Sequence, residues 1–415
     1  MRETAHLKSL KTFNDPIYGF ITIEDELIFE ILEHPYFQRL RRISQLGLTN
    51  LVYSGANHSR FQHALGAMNL MKSAIQVLRS KGFEISPEDE QAAKAAILLH
   101  DIGHGPYSHA LEKTIVSGTH HERIGLLVME QLNEEFDGRL DRAIAIFTGL
   151  HPVNFLHQLV SSQLDTDRLD YLKRDSFFTG VSEGVIGSER LIKMMTLHEG
   201  ELVVEAKGIY SLEKFLLARR LMYWQVYLHK TVVSAEFLLM NILLRAKELF
   251  HTGSDLYATR PLTYFLKQGS GISDMTNNES LKNFLELDDF DVMSCIKEWC
   301  NSDDVILSTM CTRLVSRKLL KTKQLQTLYS EGEMEELRSK YATKTGLSAN
   351  EVQYIIFQKS VSNTAYNKDN EGIKVLQKNG EAIDISQAGS LFNFASMEAM
   401  ETKHYLYFPS DFDVH

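Results

Sequence analysis

"AAILLHDIGHGPYSHALE", residues 95–112, decides how this chain is read. It begins as an apolar helical run, and at the end of that run His100 stands directly beside Asp101. His104 and His109 follow at once, among Gly103, Gly105 and Pro106. The chain holds 16 histidines in 415 residues, so even scatter would leave most ten-residue windows with one or none. Divalent transition metals prefer imidazole nitrogen and carboxylate oxygen, and several ligands must converge on one point. Adjacent helical residues diverge by about 100°, so a His-Asp doublet suits a metal near a helix end rather than on a flat face. Glycine and proline then allow the tight reversal and close backbone approach that would bring further imidazoles back to that point. Taken singly, each residue has a plainer reading. A lone histidine on an apolar helix is usually a hydrogen-bonded core residue, and a hydrogen-bonded turn alone would account for His104 and His109.

Further ligands must come from other segments, and the candidates are His63 in "SRFQHALG" and Asp167 in "QLDTDRLDYLKRD". Helical periodicity dominates around them. "ELIFEILEHPYFQRLRRISQL", residues 26–46, is periodic on both sides of a break at Pro35. "DEQAAKAAILLHD" follows Pro87 and acidic residues, a helix start. Residues 211–250 form the longest uninterrupted helical pattern. Short strand signals lie at "GFITIED" and "GELVVEAKG". Toward the end, "GIKVLQKNGEAIDIS" alternates on either side of Asn379-Gly380, a hairpin signal. "KHYLYF" and "EVQYIIFQ" are further strand candidates. The fold class expected is mainly α: a helical body over residues 1–310 carrying the site, and a smaller α/β lobe over 311–415 serving regulation or oligomerisation.

Apolar residues make up 44% and charged residues 24%, an ordinary globular balance with material for a core. The net charge of −10 argues against a general nucleic-acid surface but leaves room for a local basic pocket that holds a small polyanion. Cys295, Cys300 and Cys311 are odd in number and form no CxxC pair, so they read as reduced thiols. No run approaches the roughly 20 apolar residues needed to cross a bilayer, and "MRETAHLKSLKTFNDP" lacks a signal-peptide core. A cytoplasmic location and no membrane partner are expected.

His63, then His100-Asp101, then Asp167 resembles the pattern of the HD-domain metal-dependent phosphohydrolases. The flanking strings "FNDPIYG", "FQRLRRISQLG", "SRFQHALG", "LLHDIGHGPYSH", "THHERIG" and "DTDRLDYLKRD" narrow the resemblance. Together they are similar to the deoxynucleoside triphosphate triphosphohydrolases related to the SAM- and HD-domain restriction factor of vertebrate cells. The resemblance covers residues 8 to about 235 well and the last third loosely, and the SAM module of the vertebrate protein is expected to be lacking.

It implies an HD-domain helical bundle with His63, His100, Asp101 and Asp167 as ligands of iron, manganese, zinc or nickel. A Mg²⁺ ion would arrive with the substrate phosphates. The implied reaction is attack at the α-phosphorus of a dNTP, releasing deoxynucleoside and inorganic triphosphate. His109 would protonate the departing 5′-oxygen, with His104 on the α-phosphate. His121 matches a further catalytic histidine, and Glu112 stands where the family has an aspartate that orients it, while His120 is expected to be exposed. Arg60, Arg168 and Arg219 would hold the triphosphate beside Tyr171, the second of them an arginine where the family usually has lysine. Gln45 and Asp175 would bind the 3′-hydroxyl, Leu46 would crowd a ribose 2′-hydroxyl, and Tyr227 would border the base. Asp170 and Arg174, at i and i+4, are expected to form a surface ion pair.

Regulatory nucleotide positions are retained at Lys11, Asn14, Gln38, Arg41, Arg190, Lys207, His229 and Lys230. Glu33, Gly187 and Glu205 depart from the family there. The resemblance further implies a homotetramer responsive to activating nucleotides. Two other readings compete. One is a sister phosphohydrolase, either a phosphodiesterase or a nucleoside monophosphate phosphatase. The other is a non-catalytic nucleotide- or nucleic-acid-binding protein with a vestigial metal site.

Overall fold

The computed structural model describes residues 11–116, 118–268, 275–363, 372–388 and 400–414, and of His109 the backbone alone. An antiparallel hairpin, β1 (Lys11–Asp15) and β2 (Gly19–Ile23), precedes α1 (Glu26–Glu33) and α2 (Pro35–Gln38). The break falls where proline demands it, because the residue before a proline is driven to extended backbone, and His34 has ψ 137°.

α3 (Arg60–Ser80) starts from a Ser59–Gln62 capping box. α4 (Pro87–Leu99) starts from Ser86, whose side chain accepts the Asp89 N–H at 3.0 Å. Glu88, Asp89 and Glu90 then lie at the positive end of the helix. The apolar end of α4 is sealed inside the molecule, with Ile97, Leu98 and Leu99 at 0% exposure. Each such side chain contributes roughly 1.5–3 kcal/mol of burial, which anchors the segment that presents His100 and Asp101.

α5 (Ser108–Glu112), α6 (His121–Glu135), α7 (Asp141–Phe147) and α8 (Asn154–Val160) lead to α9 (Thr166–Thr179). α9 is capped by Asp165, which accepts the Arg168 N–H at 2.7 Å, and ends at Gly180 with φ 74°. α3 packs against both α4 and α9, and that sandwich carries all four ligand candidates.

After α10 (Ser188–Met194), β3 (Met195–His198) and β4 (Glu201–Glu205), the long 211–250 pattern proves to be interrupted. It forms α11 (Ile209–Met222), a π turn at Tyr223–Tyr227 and α12 (Lys230–His251), the two halves bent by 56°. His229 takes extended backbone and its ring accepts the Thr231 N–H at 3.3 Å, starting a new helix. The Tyr53 hydroxyl also bonds the Gln225 carbonyl in the widened turn. No single described helix is long and apolar enough to cross a membrane.

α13 (Arg260–Lys267), α14 (Asn278–Glu286), α15 (Asp289–Trp299) and α16 (Val305–Val315) complete the helical part. They are followed by β5 (Lys321–Leu325), α17 (Glu331–Thr345), α18 (Ala349–Val352) and β6 (Phe357–Asn363). The "EVQYIIFQ" strand is therefore mostly not a strand. Ser348 and Glu351 form a capping box that starts α18, and pairing begins only at Phe357. β7 (Lys374–Leu376) and β8 (Ala382–Asp384) form the expected hairpin, with Gly380 at φ 86° in its turn. β9 (Glu401–Phe408) is the centre of an antiparallel β5-β9-β6 sheet. β7 pairs in parallel with β4, Val204 opposite Val375, so a β3-β4-β7-β8 sheet joins residues from both sides of position 310.

Candidate metal centre and its pocket

The four predicted ligands meet. His63 lies one turn into α3, His100 caps the end of α4, Asp101 follows it, and Asp167 sits in the first turn of α9. His63 Nε2 is 3.3 Å from His100 Nε2, 3.1 Å from Asp167 Oδ1 and 3.8 Å from Asp101 Oδ2. His100 Nε2 is 3.4 Å from Asp101 Oδ1 and 3.5 Å from Asp167 Oδ1.

The other ring nitrogens fix what this cluster can hold. His63 Nδ1 donates to Asp170 Oδ2 at 2.8 Å, and His100 Nδ1 donates to the Ile97 carbonyl at 2.6 Å. A carboxylate and a carbonyl only accept, so each Nδ1 carries a proton, and with a cation bound each ring is neutral and turns an Nε2 lone pair inward. Two lone pairs and two carboxylates aimed at one point need a positive centre between them, and a divalent cation with N/O preference fits.

The same demand shows in the proton affinities. Burial opposes a charge on His63, but bonds to Asp167 and Asp170 outweigh it and hold its pKa at about 10. Burial likewise raises Asp167, yet His100 and His63 pull it far below the usual carboxylate range.

Asp170 and Arg174 are not a surface pair. Both side chains are fully buried, with Arg174 Nε donating to Asp170 Oδ2 at 2.8 Å and Nη1 to Asp15 Oδ2 at 2.8 Å. They form the outer brace of His63. Gly66 makes room for it, since a Cβ there would overlap Asp170 and Arg174.

A second array leads away from the metal centre. His104 Nε2 is 3.2 Å from Asp101 Oδ1, and its Nδ1 is 2.7 Å from the Ser108 hydroxyl. Ser108 donates to Glu112 Oε1 at 2.6 Å, and His121 Nδ1 reaches the same oxygen at 3.2 Å. The His104 and His121 rings stack with centroids 3.9 Å apart and planes 17° apart. Ser108 has one proton to give, so when Glu112 takes it the hydroxyl accepts from His104 Nδ1–H.

Burial and the nearby Arg60 push His104 down to about 3, keeping that imidazole neutral. Burial would raise Glu112, but the bonds from His121 and Ser108 hold it down at about 2. Gly103 brings the array together, because a Cβ there would strike the backbone of His121 and Gly125. His120 is exposed, as expected. The His109 side chain lies outside the described residues.

Of the phosphate candidates, Arg60 and Arg168 lie at the ligand-bearing segments and Arg219 lies beside Tyr171. Arg60 Nη1 donates to Asp101 Oδ2 at 2.6 Å, Arg168 pairs with Asp165, and Arg219 Nη1 donates to Gln163 Oε1 at 2.9 Å. Each of these arginines keeps a buried Nε that meets no acceptor among the described residues. Tyr171 lies within electrostatic reach of Arg219, Arg168 and Asp167, and burial pushes its phenol pKa up. Gln45 Oε1 is also buried and meets no donor among the described residues, and Leu46 packs half-buried against the core.

Asp175 is more committed than its sequence context suggested. Its Oδ1 meets His58 Nε2 at 2.8 Å and its Oδ2 accepts the Tyr227 hydroxyl at 2.7 Å. Sequence reasoning missed His58 and Ser108. For Ser108 a signal existed, since 104, 108 and 112 follow at four-residue spacing.

The eight regulatory candidates fall into three groups. Lys11 pairs with Glu33 near Gln38 and Arg41, which bond each other at 2.8 Å, and Asn14 lies on β1 opposite Phe20. Arg190 bonds the Lys207 carbonyl at 3.4 Å, and Lys207 is neutralised by Glu205 at 2.6 Å. His229 and Lys230 begin α12.

A model of the HD domain matches residues 60–175, and one of the HD associated region matches residues 186–250. The uncharacterized protein YwfO of Bacillus subtilis is 31% identical over 420 residues, spanning 98% of this chain and 93% of that protein. The chain belongs to the HD-domain family. A crystal structure described as a phosphohydrolase from Bacteroides thetaiotaomicron is 46% identical with a TM-score of 0.93, covering 96% of this chain and 100% of that one. The human deoxynucleoside triphosphate triphosphohydrolase SAMHD1 is 28% identical over 288 residues, covering 59% of this chain and 46% of that protein. With the donor set described above, these findings make this HD-domain chain a phosphohydrolase of that superfamily.

Proposed function

We propose that the chain hydrolyses deoxynucleoside triphosphates to deoxynucleoside and inorganic triphosphate. The observation that carries this reading is the set of three buried guanidinium nitrogens without acceptors among the described residues, on Arg60 and Arg168 at the four-ligand cation site and on Arg219 beside Tyr171. Guanidinium forks suit a chain of phosphates, and a monoester would need fewer of them. The names of the human protein and of a Dictyostelium discoideum homolog, 30% identical over 268 residues, agree in substrate class.

A divalent cation held by His63, His100, Asp101 and Asp167 supplies Lewis acidity for phosphoryl transfer, and Mg²⁺ accompanies the substrate phosphates. Arg60 binds phosphate while its Nη1 steadies Asp101. His104, kept neutral, donates to the α-phosphate from Nε2–H once Ser108 turns its own proton from Glu112 to His104 Nδ1. The departing 5′-oxygen needs an acid. His121, paired with the Glu112 carboxylate, is the described imidazole suited to carry that proton, with His109 the other candidate. Gln45 and Asp175 bind the 3′-hydroxyl, Leu46 crowds a 2′-hydroxyl, and Tyr227 borders the base.

We further infer a nucleotide-responsive homotetramer, on the strength of the retained regulatory positions, which lie on three different segments of the described residues. The deciding experiment incubates the purified protein with each dNTP and NTP in Mn²⁺ or Mg²⁺ and separates the products by ion exchange. Intact triphosphate from dNTPs is expected. Release of orthophosphate or pyrophosphate, or hydrolysis confined to monophosphates or diesters, would assign the chain to a sister activity.

A further inference from the structure

His58 has no role in the chemistry described so far, yet it is among the most constrained polar residues in the protein. It is 1% exposed, and its ring stacks on Phe178 with centroids 4.5 Å apart and planes 19° apart. Its Nε2 lies 2.8 Å from Asp175 Oδ1, while its Nδ1 is buried with no partner among the described residues. A buried imidazole that leaves one nitrogen unsatisfied incurs a desolvation cost, so the bond it does make is the one the structure maintains. On the other carboxylate oxygen the Tyr227 hydroxyl donates at 2.7 Å.

The geometry points to His58 as a positioning residue for sugar recognition. With Tyr227 it clamps the Asp175 carboxylate from both sides, so that Asp175 offers its remaining lone pairs in one fixed direction to the 3′-hydroxyl of a deoxynucleotide. Each carboxylate oxygen has two lone pairs, and one on each is already taken. The plane of the carboxylate is thereby set before substrate arrives, and the ring stack on Phe178 prevents the imidazole from following a drifting Asp175. His58 is held in place by the Ser44–Ser59 bridge beside it and by its own carbonyl, which accepts the Gln45 N–H at 3.0 Å. The same short segment thus places the Gln45 backbone and the Asp175 brace, the two sides of the proposed 3′-hydroxyl site. This inference rests on the dNTP reading and adds to it the group that fixes the sugar-binding carboxylate.

The test compares kcat/KM for a dNTP and its 2′,3′-dideoxy analogue in the metal-loaded full chain, wild type against His58→Leu and His58→Gln. A merely structural role would lower both substrates together. Loss of positioning instead shrinks the dNTP-to-dideoxy ratio, by about tenfold for an aligned bond to a charged group, and mainly through KM of the dNTP. His58→Gln, which retains an N–H near the Nε2 position, is expected to restore most of the ratio. If His58→Leu does not fold, His58→Asn takes its place, a polar side chain too short to reach Asp175, with the same loss expected. An unchanged ratio in a folded Leu or Asn variant overturns the inference while leaving the substrate reading intact. A wild type that hydrolyses no dNTP overturns both.

Discussion

Replacing Gly66 by alanine sets two physical effects against each other, and the structure says which wins. Gly66 lies inside α3, where alanine in place of glycine stabilises a helix by roughly 1 kcal/mol. A Cβ at that position would overlap the Asp170 carboxylate and the Arg174 guanidinium, and would sit 2.8 Å from Asp170 Cγ. Neither partner is a flexible surface end. Both are fully buried, tied to each other, and tied onward to Asp15 and His63. Displacing one member of such a pair costs about 3–5 kcal/mol, so the net expectation is destabilisation by about 2–4 kcal/mol. Because Asp170 also orients His63, metal affinity should fall about 10–100-fold. Urea unfolding of the metal-free protein measures the first quantity, and titration with a chelator-buffered divalent metal measures the second. A Gly66→Ala protein that is more stable than wild type and binds metal equally well would show that α3 and α9 do not need this close approach.

Glu112→Gln keeps the shape of the side chain and removes the charge facing His121. Turnover should drop about 100-fold with metal content unchanged; equal turnover would dissociate this array from catalysis. The raised pKa of His63, about 10 against an ordinary 6.5, predicts a pH effect of known sign. Its proton stabilises the metal-free fold fully below about 6.5, and that contribution is lost as pH rises toward 10. Metal-loaded protein should lack that loss. Metal binding at pH 8 should accordingly release close to one proton, read from calorimetric titrations in buffers of different ionisation enthalpy, and absence of release would contradict the assignment. Sedimentation with and without dNTPs should show a nucleotide-dependent tetramer, and an unchanging monomer in both would rule that assembly out.

The metal centre was legible because its chemistry allows few residue types. Two imidazoles and two carboxylates in that order leave little else to be, and His63, His100, Asp101 and Asp167 meet within 3.1–3.8 Å wherever their ligand atoms pair directly. Asp170 and Arg174 were misjudged because four-residue spacing says that two residues share a helix face but not which face. The clue was Asp167 itself, since 167, 170, 171 and 174 lie on one stripe of α9, and a stripe that starts with a metal ligand points inward. The break between α11 and α12 was hidden for another reason. Apolar periodicity continues on both sides of it, and the turn is set by packing and by the Tyr53 bond, which are tertiary facts. His58 could not be found from spacing either, as its partners Phe178 and Asp175 come from a distant helix.

The parallel pairing of β4 with β7 bears on how the molecule is made. The free edge of β4 is completed by a strand that leaves the ribosome much later, so the helical body emerges with one flank of its small sheet uncovered. A nascent or prematurely terminated chain would leave that edge unsaturated and open to association, and β7 covers it in the finished molecule.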